Sequence, residues 1–186
     1  MQRRWGMLGL TGLVVAGFLT ACAPSHPDLP LYIPNGAELC SDSDLARSGS
    51  VAVPLTNTGS TPITLSDASP SAVSQLDVTG SWIVPPVDDS PDPAVYAGDE
   101  DPGEEYVRWS ARIEPDGAVI EAGQTQYLVV VASLPAGSDA GWMQGVTVST
   151  ASTSMTVADT GWGLTPGAAS CPWSPPGGNP GPTPTG

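Results

Sequence analysis

Proline and glycine recur so often in this chain that a long helix has almost no uninterrupted stretch in which to form. The 186 residues include 21 prolines and 22 glycines, and both residue types break helices. Where the chain is regular, Val and Thr dominate, and apolar residues alternate with small or polar ones, as at Val51, Val53 and Leu55. A period of two is typical of β-strands with one buried face. The sequence therefore predicts an all-β protein.

Short regular stretches separated by turn residues follow one another from Ser50 onward. The pattern predicts strands near 51–55, 63–65, 73–84, 105–113, 126–134, 142–150 and 153–158. The stretch 126–134 is continuously apolar, which favours a strand that is central in a sheet or covered on both faces. About seven to nine such strands are expected to form a single antiparallel β-sandwich.

Two segments resemble a known class of domain. The stretches VAVPLTNTGSTPITL (51–65) and EAGQTQYLVVVASLPAGSDAG (121–141), the second followed by the strand GVTVST, resemble bacterial extracellular immunoglobulin-like modules. In those modules an Asn-x-Gly turn precedes a short strand, and a Gly-Gln turn leads into the long central strand. The resemblance implies an immunoglobulin-like sandwich. It implies almost nothing about function, because one fold hosts many functions.

The first 22 residues resemble a bacterial lipoprotein signal peptide. Arg3 and Arg4 supply a positive start, residues 5–20 are uncharged and mostly apolar, and Leu19-Thr20-Ala21-Cys22 resembles a lipobox. The resemblance implies cleavage before Cys22, which then carries lipid and anchors the protein at the extracytoplasmic face of the cell membrane. An ordinary cleaved signal with an incidental cysteine is the alternative.

Composition divides the remainder of the chain into three parts. Residues 22–36 include four prolines between positions 23 and 34 and predict an extended, lipid-anchored tether. Residues 37–173 contain the regular strands and form the predicted sandwich domain. Residues 174–186 consist mainly of Pro, Gly and Thr, so a disordered tail is expected there.

The chain is strongly acidic, with a formal net charge of −14. Two of its five basic residues, Arg3 and Arg4, lie in the predicted signal, whereas all 19 acidic residues lie beyond it. A body of this charge is repelled by the phosphate backbone. Nucleic acid is therefore not expected as a partner.

Cys40 and Cys171 remain if Cys22 carries lipid, and they bracket the predicted domain. A disulfide between them is expected because the export signal directs the chain to an oxidising space. Two separate thiols are the alternative. Two thiols and the distant His26 do not make a metal site.

The sequence contains few residues in arrangements that are typical of enzyme active sites. His26 is the only histidine and lies in the predicted tether, where nothing holds it against a nucleophile. Asp159-Thr160-Gly161 resembles one aspartic-protease triplet, but that mechanism needs two such carboxylates. A turn is therefore the preferred interpretation of this triplet. We expect a protein that is not an enzyme and that has no cofactor.

Two segments invite interpretation as sites for a divalent metal ion. The segment Asp67-Ala68-Ser69-Pro70-Ser71 has the spacing of a metal-dependent adhesion site, but its proline and serines favour a plain loop. A second segment concentrates carboxylates, which suit Ca²⁺ or a basic partner; its members are Asp99, Glu100, Asp101, Glu104 and Glu105. A solvated loop without a ligand is the alternative.

Aromatic and basic residues supply the last candidates for binding. The alternation over 105–113 places Tyr106, Arg108 and Arg112 on one outward strand face, where they could clamp an anion or an acidic partner, or simply pair with nearby carboxylates. Trp142 and Trp162 flank glycines near predicted strand ends, so they are candidates for stacking on a sugar. Packing in the core or at a sheet edge is the alternative for both.

Together these features favour a lipid-anchored, non-catalytic module of the cell envelope. Such a module would bind another envelope protein or a glycan, or act as a structural spacer. An accessory lipoprotein that delivers a substrate or a metal to a transporter is one alternative. A hydrolase that uses two carboxylates of the acidic segment is the other.

Overall fold

The computed structural model describes residues 29–34, 38–41, 47–87, 94–97, 102–104 and 107–167. The predicted signal peptide with Cys22, most of the acidic segment, Cys171 and the predicted tail lie outside these ranges. Within them, no helix is long and apolar enough to cross a membrane.

The described residues form eleven strands and a single turn of 3-10 helix at Trp109–Ala111. The strands are β1 (Leu31–Tyr32), β2 (Glu38–Ser41), β3 (Ser48–Asn57), β4 (Ile63–Thr64), β5 (Asp67–Ser74), β6 (Asp77–Val84), β7 (Ala94–Ala97), β8 (Val119–Ile120), β9 (Thr125–Ser133), β10 (Gly141–Ser149) and β11 (Ser154–Leu164). The prediction of an all-β protein is confirmed.

Nine of these strands form two sheets that pack face to face. The first sheet has the order β1-β3-β9-β6, and β7 pairs with the first half of β3 on the edge that β1 also uses. The second sheet has the order β2-β11-β10-β5. Neighbouring strands are antiparallel except for β2 and β11, which are parallel. Strands β4 and β8 form a separate two-stranded sheet.

This strand order is that of an immunoglobulin-like sandwich. Without the short strands β4, β7 and β8, the first sheet corresponds to strands A, B, E and D of that fold, and β5, β10 and β11 of the second sheet correspond to C, F and G. Strand β2 continues strand A after it has crossed to the second sheet. The predicted immunoglobulin-like architecture is confirmed.

The core lies between the two sheets, where alternate side chains of both sheets meet. Strand β3 contributes Val51, Val53 and Leu55, and the second sheet contributes Val148 and Trp162, among others. Full burial of a large apolar side chain stabilises a fold by about 1.5–3 kcal/mol. The period-two pattern of the sequence therefore supplies the main stabilisation of the sandwich.

A second apolar cluster covers the outer face of the first sheet. Tyr127, Val129 and Val131 of β9 face outward there, and the segment after β6 brings Val107 and Trp109 over them. Strand β9 is thus buried on both faces and central in its sheet, as its continuous apolar run predicts. That prediction is confirmed.

The chain joins the sandwich earlier than its proline pattern predicts. Leu29, Leu31 and Ile33 are buried in the core, and the carbonyl oxygen of Pro30 accepts hydrogen bonds from the backbone N–H and the hydroxyl of Thr58. Residues 29–34 therefore belong to the domain, and the predicted tether of residues 22–36 extends too far. The prolines mislead because a two-residue edge strand such as β1 tolerates them on either side.

The segment 67–71 is also not the loop that its proline and serines predict. It forms the first part of β5, and Pro70 lies opposite Val146 of β10. Strand β5 is the edge of the second sheet, and an edge strand accommodates a residue without a backbone N–H. Local turn chemistry was outweighed here by the pairing with β10.

Candidate functional site

Within the predicted strand 105–113, the described residues 107–113 do not form the regular strand that their alternation predicts. Ile113 forms only an isolated bridge to Ile83 of β6, and Val107 forms one to Pro86, which follows β6. Between them Trp109–Ala111 turns as a 3-10 helix. The turn lets Trp109, 8% exposed, insert over the first sheet. There its ring meets Trp82 edge to face, with 5.3 Å between ring centroids. Burial of one indole thus outweighs the local strand pattern.

Consequently Arg108 and Arg112 do not share a strand face, so the prediction of one outward face with both arginines is wrong. Tyr106, the third residue of that predicted face, lies outside the described residues. The guanidinium of Arg112 lies over the Trp109 ring, 4.6 Å from its centroid, and its Nη1 donates to the Trp109 carbonyl oxygen at 3.1 Å. Neither arginine forms an ion pair with a carboxylate of the described ranges. Arg112 therefore covers Trp109 by a cation–π contact.

Of the acidic segment only Glu104 lies within the described residues; Asp99, Glu100, Asp101 and Glu105 do not. The carboxylate of Glu104 accepts a hydrogen bond from the backbone N–H of Ser110 at 2.6 Å, so it stabilises the start of the 3-10 turn. In this part of the chain, no three His, Cys, Asp or Glu side chains are grouped to hold a metal ion. A calcium or docking role for the acidic segment stays a prediction.

The outer face of the second sheet is polar and largely exposed. At its centre the Thr147 hydroxyl forms hydrogen bonds with the hydroxyls of Ser71, at 2.8 Å, and Thr156, at 2.9 Å. These three residues lie on the three neighbouring strands β5, β10 and β11, and we call them the hydroxyl row. The exposed amide of Gln144 lies further along β10. The hydroxyl row and Gln144 therefore present neutral donors and acceptors to the solvent.

Trp142 lies at one end of the same face, half-buried, directly opposite Gly163 of β11. A Cβ atom at position 163 would overlap the six-membered ring of the indole. Glycine at this position therefore gives the indole room to lie along the sheet surface. The register of two strands, rather than any local motif, creates this aromatic position.

A β-bulge at Gly145 separates Trp142 from the hydroxyl row. The register between β10 and β11 shifts there, which leaves residues 158–160 without a partner on β10. Gly145 has a φ of +69°, a value that glycine adopts without strain. The segment Asp159-Thr160-Gly161 is thus a bulged part of β11 rather than the predicted turn. The Thr160 hydroxyl, which donates to the Pro34 carbonyl oxygen at 2.7 Å, holds it against the incoming chain.

Trp162 is buried and therefore cannot stack on a sugar, so the alternative prediction of packing in the core holds for this residue. It is 1% exposed and belongs to the core. Together with Val130 and Met143 it lines a cavity of about 20 Å³, which is room for one water molecule. Its indole Nε1 has no hydrogen-bond partner among the described residues. Of the two candidates, only Trp142 reaches the surface.

Cys40 lies in β2, where its Cα atom is opposite that of Gly163 in the parallel register with β11. Its Sγ atom lies 3.4 Å from the Thr165 hydroxyl oxygen. The predicted partner Cys171 lies outside the described residues, so the disulfide stays a prediction. The position of Cys40 beside the end of the last strand is favourable, because Cys171 follows Leu164 by seven residues.

The fold and its surfaces thus define an immunoglobulin-like sandwich with one face covered by its own chain and one polar face exposed. No protein-family model matches the chain, and no curated protein matches it. Among solved structures, the ASH / PapD-like domain of human CEP192 (PapD-like domain 7) is similar to 86% of this chain over 96% of its own length. The identity is 13% and the TM-score is 0.35. The assignment of the fold therefore rests on the strand order.

Proposed function

We propose that the protein is a non-catalytic binding module of the cell envelope, anchored at the extracytoplasmic face of the membrane through lipid on Cys22. Its binding surface is the outer face of the second sheet, and its ligand is a neutral glycan. The observation that carries this proposal is the position of Trp142, whose indole lies over Gly163 on the same exposed face as Gln144 and the hydroxyl row.

The chemistry of this face matches a polyhydroxylated ligand. An indole offers a large, rigid apolar surface on which the C–H face of a sugar ring can stack. The Gln144 amide and the serine and threonine hydroxyls both donate and accept hydrogen bonds, as sugar hydroxyls require.

The charge of the second sheet argues against an anionic polymer as the ligand. Its four strands, β2, β5, β10 and β11, contain no lysine or arginine, but they include Asp67 and Asp159, both exposed. A phosphate- or uronate-rich chain would find no cation on these strands and would be repelled by the carboxylates. A neutral glycan pays no such electrostatic penalty.

Binding of the mature chain to a glycan array and to isolated envelope polysaccharide tests the proposal, with Cys22→Ser used to keep the protein in solution. Trp142→Ala is expected to weaken binding about tenfold or more, equivalent to about 1.4 kcal/mol. Tyr32→Ala is the matched control, because Tyr32 is an aromatic residue, 54% exposed, on the first sheet. Absence of glycan binding, or equal binding by the Trp142→Ala protein, would contradict the proposal.

A further inference from the structure

The described chain enters the sandwich at one end and leaves it at the other. Leu31 of β1 is opposite Asn57, the last residue of β3, so the chain enters the domain where β3 ends. Strand β9 begins at this same end, with Thr125 opposite Thr56. We call this end the entry pole; its loops are 57–62, 121–124 and 150–153.

The last strand leads the chain out at the opposite end. Leu164, the last residue of β11, lies opposite Gly141, where β10 begins. The loop 134–140 and the bend between β5 and β6 lie at this end, where Asp77 and Ser133 are neighbours. We call it the exit pole.

We infer that the entry pole faces the lipid bilayer and that the exit pole points away from it; the inference rests on the proposed anchoring through Cys22. Leu29 is already in the core, so only residues 23–28 separate it from Cys22. At ~3.5 Å per residue, the seven steps span at most about 25 Å. Nine residues of β9 set the poles about 27 Å apart at ~3.4 Å per residue. A tether this short keeps the entry pole closer to the bilayer than the exit pole.

The composition of the entry pole is compatible with a lipid surface. Loops 57–62 and 150–153 contain only uncharged residues (Asn, Thr, Gly, Ser, Pro and Ala), and the third loop, 121–124, contributes one carboxylate, the exposed Glu121. The two uncharged loops therefore avoid the repulsion that anionic headgroups exert on the acidic chain as a whole, and Glu121 is the one charged residue of the three loops. Because the strands run from pole to pole, the outer face of the second sheet then stands upright on the membrane and faces sideways into the envelope.

Energy transfer to the bilayer tests this orientation. Two variants of the acylated mature protein, each with one introduced cysteine, Ser152→Cys at the entry pole or Ala136→Cys at the exit pole, carry the same donor dye at that cysteine. Both are reconstituted into phosphatidylcholine vesicles whose headgroups carry the acceptor. Positions 152 and 136 are both exposed, so dye attachment does not disturb the core. The protein without an introduced cysteine reports background labelling.

Transfer is expected to be several-fold more efficient from position 152 than from position 136. Equal transfer, or stronger transfer from position 136, would overturn the orientation. Flotation of the same vesicles distinguishes a failure of the inferred orientation from a failure of the proposed lipid anchoring. A protein that floats without a difference in transfer disproves the orientation alone, whereas a protein that does not float disproves the lipid anchoring on which it rests.

Discussion

The side-chain amide of Asn57 donates a hydrogen bond to the carbonyl oxygen of Ile120 at 2.9 Å and so joins the ends of β3 and β8, which are 63 residues apart in sequence. The same nitrogen donates to the Thr61 carbonyl oxygen at 2.8 Å, and Oδ1 accepts the backbone N–H of Gly59 at 2.9 Å. Asn57 is fully buried, so its hydrogen bonds replace those that water would provide. One side chain thus holds the entry pole together.

Asn57→Ala should lower the free energy of unfolding by about 3 kcal/mol, because it leaves buried backbone groups without partners. Asn57→Asp should cost at least as much, since a carboxylate retains the acceptor for Gly59 but cannot donate to the two carbonyls. Chemical denaturation measures both. Ser60→Ala, in the same loop but exposed, is the control and should change stability by less than about 0.5 kcal/mol. Equal stability of Asn57→Ala and Ser60→Ala would refute this role.

Gly163→Ala should displace the Trp142 indole from the sheet, because the new Cβ atom overlaps its ring. We expect a loss of about 1–3 kcal/mol, typical of overpacking. In the Trp142→Ala background the same substitution should cost much less, since the ring is absent. A double-mutant cycle measured by thermal unfolding gives the coupling. Additive effects of the two substitutions would show that the indole does not depend on Gly163.

Trp162→Phe should cost far less than Trp162→Ala. Truncation of a buried aromatic residue to alanine costs about 3–5 kcal/mol. Phenylalanine keeps most of the apolar volume and also removes an indole N–H that has no partner among the described residues, which offsets part of the loss by about 1 kcal/mol or more. Urea denaturation of both variants tests this. A similar loss for both would indicate that the indole nitrogen does have a partner, such as a bound water.

Reduction of the protein should destabilise it strongly if Cys40 and Cys171 are joined. Their loop spans more than 100 residues, and its closure is worth about 5 kcal/mol in the chain-entropy model. The double variant Cys40→Ser with Cys171→Ser should unfold, without reductant, at the temperature of the reduced wild type. Mass spectrometry under non-reducing conditions identifies the linked peptides. Two thiols that alkylate in the native protein would contradict the prediction.

The sequence predicts the sandwich well because its strands depend on a local, period-two pattern. Val51, Val53 and Leu55 alternate along one strand, and the Asn57–Gly59 turn follows directly, so both can be recognised without knowledge of the partners. The predictions fail where a contact between residues distant in sequence determines the local conformation. Residues 105–113 alternate like a strand in the sequence, but Trp109 docks beside Trp82 and Trp109–Ala111 form a 3-10 turn.

The candidate site depends even more on distant contacts. Trp142 and Gly163 lie 21 residues apart in sequence, and only the register of β10 with β11 brings them together. The glycines around Trp142 and Trp162 were a usable signal, but they did not distinguish the surface indole from the buried one. That distinction needs the bulge at Gly145, after which the two strands resume pairing in a shifted register.

The proposed membrane anchoring and the orientation inferred from it both depend on the acylation of Cys22, and detergent partitioning of the expressed protein tests it most directly. The wild type should enter the detergent phase and incorporate radiolabelled fatty acid, whereas Cys22→Ser should stay in the aqueous phase without label. A Cys22→Ser protein that still partitions with the membrane, or a wild type that takes up no fatty acid, would contradict the account.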